Sequence, residues 1–159
     1  MRVTDIAEDQ RVLVVVPWWS ASMKVVLEPD DWDTGSDTWE QAGRTLNTLC
    51  RLIDCNMIEA TYPFGMTFDQ MSSPAATMDE EARIFAKPVN HLATQLHAER
   101  YGYPMMGDMV AHMLTADGDT VGFTMKQARF VLDDYPFDNN VYTLAQINAK
   151  REDAYDRVE

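Results

Sequence analysis

The stretch that most constrains how this chain folds is Arg11 to Pro17, Arg-Val-Leu-Val-Val-Val-Pro. A run of apolar, mostly β-branched residues has the length and propensity of a strand but no alternation, so this strand is expected to be covered on both faces. Met23 to Pro29, Met-Lys-Val-Val-Leu-Glu-Pro, is a second such run ended by proline. Between them lies Trp18-Trp19-Ser20, and large aromatics at a strand end are expected to pack rather than stand exposed.

From Glu28 to Glu40 the chain carries Glu28, Asp30, Asp31, Asp33, Asp37 and Glu40 and no base, which reads as a solvated loop. Asp37 followed by Glu40 resembles a capping box. Behind it Trp39, Ala42, Leu46, Leu49, Cys50 and Ile53 recur at helical spacing, predicting an amphipathic helix of about four turns. Cys55 to Thr61 returns as a strand. Tyr62-Pro63-Phe64-Gly65 then reads as a turn, Met66 to Asp69 as a short strand, and Ser72-Ser73-Pro74-Ala75-Ala76 as a loop. Pro88 disfavours helix at Lys87, Asn90 is placed to cap a helix carrying Leu92, Ala93 and Leu96, and Gly102 with Pro104 supplies its stop.

Met105 to Leu114 reads as a strand. With Met109, Ala111 and Met113 on one face and Val110 and Leu114 on the other, it is apolar on both sides and therefore central. Asp117-Gly118 signals a hairpin whose return strand starts at Val121-Gly122-Phe123. Thr124 with Gln127 forms a capping box for a helix bearing Met125, Ala128, Leu132 and Tyr135. After a turn at Pro136 to Asn140, Thr143 with Gln146 opens a terminal helix bearing Leu144, Ile147, Ala154 and Val158. Its charged end, from about residue 150, is expected to fray. Without repeat or linker, residues 1–159 are expected to form one α+β domain. Its sheet is expected to be mixed or mainly antiparallel, of about five strands, with three to four helices.

Charge excludes more than any motif does. With 26 acidic against 13 basic side chains the formal net charge is −13, which repels nucleic-acid backbones and anionic lipid and favours approach to basic surfaces. No apolar run is long enough for a membrane span, and the opening residues are too polar for a signal peptide, so a soluble cytoplasmic protein is expected. Cys50 and Cys55 straddle the predicted helix-to-strand junction at a spacing that fits neither Cys-x-x-Cys redox chemistry nor a zinc knuckle, and are expected to behave as small free apolar residues.

Catalytic patterns are missing from the sequence. His91 and His97 point to different faces of one short helix, and His112 has no ligand-type neighbour at nearby spacing, so no metal site is expected. No serine lies in a nucleophile elbow, no glycine-rich phosphate loop is present, and acid pairs such as Asp79-Glu80 and Asp133-Asp134 are adjacent and so diverge. No catalytic residue and no cofactor is expected. The eleven methionines, including Met105, Met106, Met109 and Met113, read as sheet filler.

Asp79-Glu80, Asn90-His91-Leu92-Ala93-Thr94, Gly107-Asp108-Met109-Val110, Gly122 and the helix from Thr124 together resemble a small family of unassigned activity borne by bacteriophages and plasmids, many from actinobacteria. Ala82 stands where that family prefers glycine. The resemblance implies a genetic setting, that of accessory proteins acting on host processes. In that setting an acidic face of Glu28, Asp30, Asp31, Asp33, Asp37, Glu40, Asp133, Asp134 and Asp138 would occupy the basic nucleic-acid site of a host protein, with fast, salt-sensitive association. The alternative is a homo-oligomer sequestering a nucleotide-like signal, with Arg83, Lys87, Asn90 and Arg100 as anion contacts. A small hydrolase whose site only the fold assembles is the remaining alternative.

Overall fold

The computed structural model describes residues 1–33, 38–64, 72–97, 104–116 and 118–158. Eight strands and four helices form a single α+β domain. The strands are β1 (Arg11–Val16), β2 (Met23–Leu27), β3 (Ile58–Thr61), β4 (Ser72–Asp79), β5 (Met109–Thr115), β6 (Thr120–Val121), β7 (Phe123–Thr124) and β8 (Phe137–Tyr142). The helices are α1 (Thr38–Ile53), α2 (His91–Leu96), α3 (Met125–Val131) and α4 (Leu144–Val158). The sheet runs β3-β4-β5-β1-β2-β8, with β6 on β5 and β7 on β1, and is antiparallel except for the parallel β2–β8 pair.

The valine run behaves as its lack of alternation predicts. Val12, Val14 and Val16 join Met109, Ala111 and Met113 of β5 beneath α2 and α3, while Leu13 and Val15 join Val110, Leu49, Leu52 and Ile53 beneath α1 and α4. All five residues Val12–Val16 are fully buried. Each such side chain contributes about 1.5–3 kcal/mol of burial free energy, so β1 is the element both helical layers are built on.

Two strands occupy stretches expected to be loop or turn, and they account for much of the excess over five. Ser72–Asp79 pairs with β5 along its whole length. Pro74 is tolerated there because β3 pairs only with Ala76 to Asp79, so the side of Pro74 away from Met113 lies beyond β3 and its missing N–H breaks no ladder bond. Phe137–Tyr142 is the edge strand β8, whose register to β2 slips between Met23 and Val25 and bulges Asp138 to Asn140 outward. The expected short strand at Met66 to Asp69 and the helix stop at Gly102 lie outside the described residues.

Helix ends follow their local chemistry. Asn90 caps α2 through the Ala93 amide, and Thr124 with Gln127 and Thr143 with Gln146 form reciprocal capping boxes. α1 ends in a left-handed residue, Asp54 at φ 61°, while the Cys55 amide reaches back to the Cys50 carbonyl at 3.0 Å, the six-to-one closure of a Schellman turn. α4 continues past residue 150 to Val158, with Arg151 buried. Among the described residues no helix is long and apolar enough to cross a membrane.

Gly122, between β6 and β7, crosses β1 so closely that a Cβ there would sit 2.7 Å from the Val12 carbonyl oxygen. Its amide donates to Glu28 Oε1 at 2.7 Å and its carbonyl accepts from Arg11 at 2.9 Å. Gly122→Ala is expected to destabilise the fold by about 1–3 kcal/mol, because backbone rather than a flexible side chain must yield. Urea denaturation checks this; an unchanged midpoint would mean the crossing shifts without cost.

Candidate functional site

One end of the sheet gathers the buried charged side chains Lys24, Asp79, Asp108 and Arg151. β1 and β4 finish there while β2, β5 and β8 begin, so Trp18, Lys24, Asp79, Asp108 and Asp138 converge although they are far apart in sequence. Asp108 is the centre. It follows Gly107, which holds φ at 78°, and is 1% exposed at the entry to β5. Its Oδ1 accepts the Trp18 amide at 2.9 Å, and its Oδ2 accepts the Trp19 indole at 2.9 Å and Arg151 Nε at 2.8 Å. Arg151 also donates to Asn148 at 2.8 Å and to the Leu52 carbonyl at the end of α1. Burial pushes the Asp108 carboxyl up from its ordinary value, against the opposing pull of Arg151 and the two tryptophan donors. The tandem tryptophans are therefore half-buried and anchored, with Trp18 also packed on Tyr155 at 5.0 Å between ring centroids.

Asn90 and Lys87, two of the expected anion contacts, are committed to this framework. Asn90 is fully buried, and its side-chain amide donates to the carbonyls of Val16 and Gly107, each at 2.8 Å, while its oxygen caps α2. Lys87 pairs with the buried Asp79 at 2.6 Å and donates to the Asp54 carbonyl at 2.6 Å. Both side-chain N–H donors of Asn90 are taken up by backbone carbonyls, and Lys87 is held between Asp79 and the Asp54 carbonyl. Arg83 is exposed and reaches the Pro104 carbonyl at 3.2 Å, and Arg100 lies outside the described residues.

The bulge in β8 turns Asp138 onto Lys24, which is 5% exposed. Lys24 Nζ donates to Asp138 and to Ser22 Oγ, both at 2.9 Å, and lies 5.8 Å and 5.5 Å from the ring centroids of Trp19 and Tyr142. Tyr142 donates to the same carboxylate at 2.5 Å. Lys24 Nζ is thus enclosed by a carboxylate, a hydroxyl and two ring faces. Burial opposes ionisation of Asp138, but the hydrogen bonds from Tyr142, the Asn140 amide and Lys24 outweigh it and bring the carboxyl down to about 2.

The acidic residues expected to make one face are divided. Asp30 and Asp31 follow the end of β2, whereas Asp133 and Asp134 precede β8 and so lie at the start of β2, because the two strands are parallel. The length of β2, roughly 16 Å for five residues, separates the two exposed groups. Glu28 is spent on Gly122, Asp138 on Lys24, and Asp31 approaches Arg44 at 3.9 Å. Asp37 lies outside the described residues, and the backbone of Asp33 and Glu40 flanks it, next to Asp31.

Several open clefts lie among the described residues. One of about 310 Å³ lies between Glu59, Thr61, Met78, Glu80, Arg83 and Met105, and in it burial and the nearby Glu80 push the Glu59 carboxyl up despite Arg83. One of about 550 Å³ runs between Trp18, Trp19, His91 and Pro136, and the largest, about 620 Å³, has an apolar floor of Leu13, Val26, Leu52 and Val141 between α1 and α4. The histidines remain apart in role. His91 is exposed, His97 is buried beside Thr61 at 2.9 Å, and His112 is buried in β5. Among the described residues no group of three His, Cys, Asp or Glu side chains could hold a metal ion. Comparison of the chain with family models, with curated proteins and with solved structures gives no match.

The hub at Asp108 escapes the sequence reading. The residues alone place Gly107-Asp108 inside a strand from Met105, whereas β5 starts at Met109, and the Asp108 partners Trp18 and Arg151 stand 90 and 43 residues away. The one local signal is a charged residue directly before a strand apolar on both faces, a position that burial makes costly unless the charge is paired.

Proposed function

We propose that the protein is a non-catalytic binding protein that acts in the cytoplasm of a host cell by docking its acidic surface on a basic surface of another protein and inhibiting it. The observation that carries this reading is how the charges are divided. The charged groups at the inner end of the sheet are paired, Lys24 with Asp138, Lys87 with Asp79 and Arg151 with Asp108, while Asp30, Asp133, Asp134, Glu152, Asp153 and Asp156 stand exposed in a chain of net charge −13. A surface of that sign accelerates encounter with basic partners and repels nucleic acid. Because the acidic groups sit at both ends of β2, contact with two separate basic patches fits better than imitation of a continuous phosphate ridge.

The test is capture from bacterial host lysate on the immobilised protein, with partners identified by mass spectrometry at rising salt. A basic protein should be retained at low salt and released as the screening length falls from about 10 Å at 0.1 M to about 3 Å at 1 M. Paired Asp30→Asn/Asp31→Asn and Asp133→Asn/Asp134→Asn variants should each weaken retention. Capture of nothing specific, or of a partner indifferent to salt and to both variants, overturns the proposal.

A further inference from the structure

The turn that ends α1 brings together two free thiols, Cys50 and Cys55, of which Cys55 packs against the core beneath α1 and α4. Cys50 occupies the last full turn of the helix and Cys55 the second residue past it, and the Cys55 amide donates to the Cys50 carbonyl at 3.0 Å. In a Schellman turn these two positions place their side chains on the same side, next to each other. Both are partly accessible and free. Asp54 between them takes the left-handed position of the turn, at φ 61°, which aspartate tolerates better than most residues, and Lys87 Nζ donates to its carbonyl at 2.6 Å.

We infer that Cys50 and Cys55 are a reversible modification site, a thiol pair that closes to an intramolecular disulfide by exchange with a small-molecule disulfide of the glutathione type. In the first step the Cys50 thiolate attacks one sulfur of the small disulfide, whose S–S bond breaks and releases one thiolate. In the second, Cys55 gives up its proton to solvent and attacks the Cys50 sulfur of the mixed disulfide, releasing the second small thiol. Two protein S–H bonds are exchanged for one S–S bond, and the two electrons leave with the reduced small thiols. Cys50 is assigned the first attack because burial above all, with Cys50 and the Asp79 carboxylate adding to it against Lys87, pushes the Cys55 thiol up to about 12. Closure locks the turn whose Asp54 carbonyl receives Lys87, and so couples the redox state of the pair to the Lys87–Asp79 bridge.

The experiment uses the full folded chain equilibrated in buffers of oxidised and reduced glutathione, followed by acid quenching, alkylation and trypsin. Cleavage after Arg44, Arg51 and Arg83 separates the two cysteines, so closure appears as residues 45–51 joined to residues 52–83. The joined peptides are expected to form at an oxidised-to-reduced ratio about tenfold lower in the folded chain than in the same chain unfolded in urea, because the turn holds the thiols together. Stable glutathione adducts on both cysteines, disulfide-linked dimers, or equal closure in urea would each overturn the inference.

Discussion

Replacing Asp108 by alanine is expected to lower the stability of the fold by about 3–5 kcal/mol, since it leaves the Arg151 guanidinium buried without its carboxylate. The loss extends beyond the ion pair, because the Trp18 amide and the Trp19 indole lose their acceptor in the same substitution. At roughly 2–4 °C per kcal/mol for a domain of this size, the melting temperature should fall by roughly 6–20 °C. Asp108→Ala combined with Arg151→Met should be less damaging than the sum of the single changes, because the second removes the charge that the first strands. Thermal and urea denaturation of the three variants measure this. A single-variant shift under about 2 °C, or strict additivity, would show that Asp108 does not hold this end of the sheet together.

The second large effect belongs to His112, which is fully buried in β5. Its Nε2 meets the Thr77 hydroxyl at 2.6 Å and its Nδ1 the Met113 carbonyl at 3.1 Å, an arrangement a neutral ring satisfies by donating from Nδ1 and accepting at Nε2. Burial lowers its pKa from 6.5 to about 4, with the Met113 hydrogen bond a weaker opposing influence. As pH falls, the unfolded chain therefore takes up the proton first. The stabilisation is complete above about pH 6.5 and declines by about 1.4 kcal/mol per pH unit towards pH 4, a total of about 3 kcal/mol. Asp138, held at about 2, acts in a separate window: it contributes above its ordinary value of 3.8 and is lost only as pH falls from there. Urea denaturation from pH 7.5 to 4.5 should show a steep slope that His112→Gln flattens, and parallel slopes in the two proteins would contradict a neutral buried ring.

Local physics made part of this architecture readable from the residues alone. The unbroken apolar run of β1, the alternating faces of β5, the Asn90 cap and the Thr124–Gln127 box depend on neighbours within a few positions, and each takes the form its sequence implies. β4 was hidden because Ser-Ser-Pro-Ala-Ala has little intrinsic preference for a strand. It is held there by the opposing residues Ala111, His112 and Met113 of β5, and tertiary context overrides propensity. β8 was hidden because Asp138-Asn139-Asn140 has turn chemistry, which the strand uses as a bulge. The polar end of the sheet was invisible for a stronger reason. Besides their near neighbours, Asp108, Lys24 and Asn90 reach partners such as Trp18, Arg151, Asp138 and Val16 across 43 to 114 residues, distances at which spacing carries no information.

The strand order also governs when the molecule can assemble. β1 lies between β2, its immediate successor, and β5, with Val14 opposite Ala111, so its second neighbour is made roughly 100 residues later. At a synthesis rate of roughly 5–20 residues per second, the β1–β2 hairpin waits on the order of 5–20 s for that neighbour. During that interval the most apolar segment of the chain has no cover on one edge. Folding should be slow for a chain of this length because the contacts that close the core are among the most distant ones.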